Sequence, residues 1–140
     1  MTAHDTKNFK ITEFACKCGH FNCPHYAVKQ ELIDALQEMR DLAGYPIYVN
    51  SGFRCPTHNK TVGGERNSKH LLGIAADIRC DELSPKELKA IAEMVPEFRN
   101  GGIGVYDWGI HVDVRGHRAR WDYRGRPGKS TRCKNRSRWN

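Results

Sequence analysis

The stretch Ser68–Asp77, S-K-H-L-L-G-I-A-A-D, constrains what this chain can fold into more than any other. It sets a histidine and an aspartate seven positions apart, with Gly73 and two alanines between them. Gly73 lets the chain turn, or approach another backbone, without a Cβ in the way. Ala75 and Ala76 leave room for packing. A catalytic zinc needs three protein ligands and one open position, and His70 with Asp77 supplies two of the three. The pair carries chemistry only if the fold brings a third ligand to it.

Ile74–Arg79 (I-A-A-D-I-R) reads as a strand on which Ala75, Asp77 and Arg79 share a face. Gly101–Tyr106 and Ile110–Arg115 read as a hairpin turning at Asp107-Trp108-Gly109. In its second strand His111 and Asp113 share a face. Pro46–Asn50 reads as a further short strand, rich in β-branched and aromatic residues. A helix is expected from Val28 to Ala43, because Leu32, Ile33, Leu36, Met39 and Leu42 form one apolar face; Gly44 follows as its stop. Ser84-Pro85-Lys86-Glu87 marks a second helix running to about Met94, with Leu88, Ile91 and Ala92 inward, stopped by Pro96. Residues 1–28 are expected to be irregular apart from an extended stretch at Phe9–Thr12. Residues 55–69 read as a loop with one helical turn near Thr57–Thr61. The last twenty residues read as loop and tail, with Trp121 and Tyr123 folding back.

The third ligand expected on this reading is His111. A His–Asp–His set on two strands gives the rigid mounting a catalytic ion needs, and imidazole with carboxylate suits zinc. The other histidines, His4, His20, His25, His58 and His117, lie in polar or irregular segments and read as surface or hydrogen-bonding residues. Cys16, Cys18, Cys23 and His25 follow the spacing C-x-C-x4-C-x-H, a candidate second, structural zinc site, tighter than the usual C-x2-C. Buried or free thiols under a loop are the alternative; reduced cysteines are the default, and a Cys55–Cys80 disulfide is expected only in an oxidising compartment.

The 140 residues fit one domain, and 39% apolar with 28% charged residues fits a globular chain. No apolar run approaches a membrane span, and Met1–Lys10 lacks the apolar segment of a signal peptide. The expectation is a monomer, cytoplasmic as synthesised. The net charge of +7 is uneven: residues 115–140 carry ten Lys or Arg and one acid, against thirteen basic and fifteen acidic residues before them. A basic tail of this kind holds an anionic polymer, a membrane surface or nucleic acid by screened attraction. Nucleic acid is the weaker reading, because aromatic residues there are few and no reading motif accompanies them.

S-x-H-x-x-G-x-A-x-D at Ser68–Asp77, with H-V-D-V-R at His111–Arg115, resembles peptidase family M15, and within it the M15A subgroup of bacteria and phage cell-wall lysins. S-G-F-R-C-P-x-H-N at Ser51–Asn59, V-G-G at Val62–Gly64 and F-A-C-K-C-G at Phe14–Gly19 extend the likeness from about Phe9 to Trp121. The resemblance implies zinc bound by His70, Asp77 and His111. It implies Arg54 facing substrate and the developing oxyanion, and Ser68 hydrogen-bonding beside the metal. The activity implied is hydrolysis of peptidoglycan stem peptides, as D-Ala-D-Ala carboxypeptidase or endopeptidase, by zinc-activated water. Many relatives place an acid three positions before the last ligand, where this chain has Trp108. Asp113 and Asp107 are the candidate bases, with orientation of a ligand or of Arg54 as the other role for Asp113. A catalytically silent binding module is the competing reading, since the zinc fold also resembles the hedgehog signalling domain. The fold expected is α+β: a small antiparallel sheet holding the zinc site, two helices on its other face, a domain over residues 1–121 and a basic tail over 122–140, able to hold an anionic wall polymer.

Overall fold

The computed structural model describes residues 3–125. Helix α1 (Gln30–Ala43) forms where the apolar stripe placed it, burying Leu32, Ile33, Ala35, Leu36 and Met39; Leu42, in the last turn, is exposed. Gly44 closes it in the left-handed conformation. Helix α3 (Pro85–Ala92) starts on a reciprocal cap: Ser84 Oγ accepts from Glu87 N at 3.2 Å, and Ser84 N donates to Glu87 Oε1 at 2.9 Å. It ends two residues before the expected Met94. Pro96 does not merely stop it but opens a short helix α4 (Pro96–Arg99), because proline at a first helical position has no amide to waste. Helix α2 (Pro56–Thr61) is the single turn expected in the loop.

Five strands form one sheet in the order β1-β2-β4-β3-β5. They are β1 (Tyr48–Ser51), β2 (Ala75–Arg79), β3 (Gly102–Val105), β4 (Ile110–Asp113) and β5 (Ala119–Asp122). The first four pair antiparallel; β5 lies parallel to β3 at the edge. The α+β class therefore holds, with a mixed sheet in place of a wholly antiparallel one. Strand β5 runs one residue past the expected boundary at residue 121: Asp122 pairs with Val105, and Tyr123 N donates to Val105 O at 2.8 Å. Much of the basic charge assigned to a tail belongs to this edge, with Arg115 paired to Asp113 and Arg118 and Arg120 to Glu93. Residues 126–140 lie outside the described residues. Phe9–Thr12 is not extended throughout, since Ile11–Phe14 forms a 3-10 turn that buries Phe14.

The period-2 alternation gives the sheet two unlike faces. Ala76, Ile78, Ile103, Val105, Ile110 and Val112 face α1, α3 and α4, and together with Leu88, Ala92 and Phe98 they make the core. The opposite face carries a row across all five strands: Ser51, Asp77, His111, Gly104 and Trp121 are register partners in turn. Gly104 has a steric reason to be glycine, because a Cβ there would strike the indole of Trp121. The core side thus fixes the positions of the polar row without contributing to its chemistry.

Candidate metal centre

His70 does not sit on the sheet. It is carried by a 3-10 turn, Lys69–Leu72, whose start is capped by Ser68 Oγ accepting from His70 N at 3.2 Å. Gly73 ends the turn at φ 72°, with no room for a Cβ against the Ala27 carbonyl. The chain then enters β2, and Asp77 comes up beside His70. His111 is Asp77's neighbour on β4. The turn at Gly73, which leads from the 3-10 segment into β2, and the pairing of β2 with β4 therefore bring three donors together from distant points of the sequence. All three residues are buried.

The hydrogen bonds fix which nitrogens face inward. His70 Nδ1 lies 2.7 Å from the Gly52 carbonyl, which can only accept, so Nδ1 carries the proton and Nε2 keeps its lone pair. His111 Nε2 lies 2.7 Å from Asp113 Oδ2, leaving Nδ1 with the lone pair. Those two lone-pair nitrogens stand 3.1 and 3.2 Å from the same oxygen, Asp77 Oδ1. With both imidazoles neutral, three acceptors aimed at one point repel each other unless a proton or a metal cation lies between them. Around a zinc ion at ~2.1 Å, tetrahedral donors sit ~3.4 Å apart, close to the spacing found. The three donor atoms lie within 4.8 Å of one another, so the residues fit one metal ion.

The surroundings set the charges. Burial, and then the Arg54 guanidinium, draw the His70 imidazole below its ordinary pKa, which favours the neutral ligand form. Burial alone would raise Asp77, but His70, His111 and Arg54 outweigh it and hold the carboxyl well below the carboxylate range. Burial pulls His111 down, yet Asp113 and Asp77 together leave it raised. Arg54 spends its fork within the site: Nη2 donates to Asp77 Oδ2 at 3.0 Å, Nη1 to Asn59 Oδ1 at 3.0 Å and Nε to Ser51 Oγ at 3.1 Å. It fixes the Asp77 oxygen that does not face the histidines, while still lining the cavity.

Neither candidate base opens onto that cavity. Asp113 is fully buried behind His111 and also accepts from Gly102 N and from Arg115 N, Nε and Nη2. Burial would raise its carboxyl, but His111 and Arg115 hold it far below the usual range. Asp107 is exposed on the β3–β4 turn and accepts from Gly125 N at 3.1 Å. The cavity of about 650 Å³ over the metal centre is lined instead by Glu65, Ser68 and Lys69 and by four aromatic residues, Tyr106, Trp108, Trp121 and Tyr123. Trp108 stacks on Tyr106 at 5.2 Å, and Trp121 Nε1 donates to Tyr106 Oη at 2.8 Å. Trp121 and Tyr123 fold back as expected, but their place with Tyr106 and Trp108 in the cavity wall was missed in the sequence, where the density of rings in Y-D-W and W-D-Y was the signal; Glu65 was missed and had no such signal.

Cys16, Cys18 and Cys23 do converge, but their fourth partner is Cys55, not His25. His25 Nε2 makes a hydrogen-bond contact with one thiol, Cys18 Sγ, at 3.8 Å, and is not among the four converging donors. Cys55 and Cys80 are both free, with Cys80 Sγ directed at Glu82, so they form no disulfide. His58, expected at the surface or in a hydrogen bond, is buried on α2, and burial lowers its pKa.

Residues 7–113 match the family model described as Peptidase M15. The chain belongs to the peptidase M15 family. A zinc D-Ala-D-Ala carboxypeptidase of Streptomyces albus G is 54% identical over 44 residues, a stretch covering 31% of this chain and 17% of that relative. The M15 match contains all three converging donors and stops at Asp113, so β5 and its Trp121 lie beyond it.

Proposed function

We propose that this M15 chain is a zinc-dependent peptidase acting on peptidoglycan stem peptides, of D-Ala-D-Ala carboxypeptidase or endopeptidase type. The observation that carries it is the convergence of His70 Nε2, His111 Nδ1 and Asp77 Oδ1 at the floor of a cavity of about 650 Å³. His70, Asp77 and His111 would hold the ion. When bound, zinc supplies Lewis-acid polarisation of a carbonyl and acidifies water toward neutrality. The remaining work falls to the protein. Gly52 and Asp113 hold the two imidazoles in the ligating tautomer, and Arg54 turns the Asp77 carboxylate. The aromatic wall shields one side of the cavity from water, and Lys69 presents a cation suited to a peptide carboxylate. Among the described residues, Glu65 is the cavity carboxylate other than Asp77, and we assign it the proton transfer.

One observation favours a second reading, a zinc-holding module that binds wall peptide without cutting it: Trp108 stands where an acid would stand three residues before His111. Mass analysis of fragments from purified peptidoglycan decides. New termini next to D-amino acids, lost with chelator and restored by zinc, support the peptidase. Binding without new termini supports the module. The basic residues of 126–140 are part of the same proposal, as an attachment to anionic wall polymer. Truncation after Gly125 is expected to weaken wall binding more than turnover of a soluble peptide; equal losses refute the attachment.

A further inference from the structure

The four thiols of Cys16, Cys18, Cys23 and Cys55 take no part in the centre described above. Their sulfurs lie within 4.8 Å of one another, and all four are free. We propose that they form a second, structural metal site, a tetrathiolate that takes zinc.

The first argument is geometric. Zinc with four thiolates at ~2.3 Å sets its sulfurs ~3.8 Å apart, so the cluster, within 4.8 Å throughout, needs a contraction of at most ~1 Å. The second is what the backbone does. Cys55 N donates to Cys16 Sγ at 3.3 Å, His20 N to Cys18 Sγ at 3.3 Å and His58 N to Cys55 Sγ at 3.4 Å. Amide hydrogens aimed at sulfur favour the thiolate, the form a metal binds.

The third is that little apolar packing holds this segment, whose ties to the rest of the fold are a few hydrogen bonds such as Lys29 N to Gly73 O at 2.9 Å and Lys17 Nζ to Asn50 O at 3.2 Å. Residues 15–29 contain no helix or strand, and residues 17–27 contain no buried side chain. Phe21, at the tip, is 99% exposed. Fixing such a stretch costs ~1–2 kcal/mol per residue in backbone entropy, against which only Cys16 and Val28, at its two ends, are buried. A tetrahedral metal tie supplies that stabilisation in small irregular segments. The few apolar contacts at the cluster come from Phe53, between Gly52 and Arg54.

The tie has a consequence for the catalytic side. Cys55 caps helix α2 and directly follows Arg54, whose fork fixes Asp77 and Asn59. The thiol cluster would therefore join the N-terminal segment to the loop that carries Arg54. The ligand set differs from a C-x-C-x4-C-x-H reading, because Cys55 arrives through the fold and displaces His25.

The test uses the full chain, purified with zinc and desalted. Metal analysis is expected to give two zinc ions per chain in the wild type, one in His70→Ala and one in Cys18→Ser. Cobalt-loaded His70→Ala should show the strong near-ultraviolet thiolate-to-cobalt band, and Cys18→Ser should lack it. Should Cys18→Ser fail to fold, alkylation of the zinc-loaded wild type followed by peptide mapping decides instead. Protection of Cys16, Cys18, Cys23 and Cys55 until chelator is added supports the site. Ready alkylation of these four with zinc present, disulfides among them, or a metal-free His70→Ala protein overturns it. Because that variant has lost the catalytic ligand, the outcome is separate from whether the protein cleaves peptide.

Discussion

Replacing Asp113 by asparagine separates a residue that orients a ligand from one that moves a proton. The Asp113 carboxylate collects N–H groups on both oxygens: Gly102 N, Arg115 N and Arg115 Nε on Oδ1, and His111 Nε2 and Arg115 Nη2 on Oδ2. An amide turns one oxygen into a donor. Its least damaging placement sets the new NH₂ against His111 Nε2 and Arg115 Nη2, donor facing donor. His111 then relieves the clash by moving its proton to Nδ1, the nitrogen that should ligate. Loss of such a partner typically costs 10–100-fold in metal affinity. The broken charge-assisted bond to Arg115 costs a further ~2 kcal/mol of stability. The assay is zinc affinity by chelator competition, with hydrolysis at limiting and saturating zinc. Weakened zinc binding, with activity largely recovered at saturating zinc, is expected. Unchanged zinc affinity with hydrolysis abolished at saturating zinc would refute the orienting role and return Asp113 to the part of general base.

Glu65→Gln should keep its zinc and lower kcat by ~10²–10⁴-fold, the usual share of a positioned proton acceptor; unchanged kcat removes Glu65 from that role. Gly104→Ala should push the Trp121 indole off His111, cost ~1–3 kcal/mol of stability and raise KM with zinc retained; an unchanged melting temperature and KM would show that the indole is not held there. Glu93, clasped chiefly by Arg120 and then Lys89, has its carboxyl drawn from 4.5 to about 2. A carboxylate lowered on folding stabilises above its unfolded value and loses that contribution as pH falls from about 4.5 toward about 2. Because the pair is partly solvated, Glu93→Gln should destabilise by only ~1 kcal/mol at pH 7. That difference should shrink across the stated window, and a difference independent of pH contradicts the clasp.

The His–Asp–His set was readable because two of its members sit on strands whose alternation shows in the letters. Asp77 lies in I-A-A-D-I-R and His111 in I-H-V-D-V-R, and pairing those strands joins the two. Helices α1 and α3 were readable from their apolar stripe and from the Ser84–Glu87 cap. Strand β5 was not, because A-R-W-D reads as basic tail until Glu93, on the far side of the hairpin, supplies the counter-charge for Arg120. The fourth thiol was hidden for the same kind of reason: Cys55 reaches the other three only once Phe53 N has bonded to Phe14 O at 2.9 Å. Asp113 shared a face with His111 as expected, and Arg115, two residues on, pairs with it locally, but its bond from Gly102 N on β3 is one that no local pattern connects to it.

Diffraction from a zinc-loaded crystal, recorded on both sides of the zinc absorption edge, tests the catalytic centre most directly. The expected result is an anomalous peak ~2.0–2.2 Å from His70 Nε2, His111 Nδ1 and an Asp77 oxygen together. A zinc-saturated crystal with no peak among those three atoms, or with the three side chains turned apart, contradicts it.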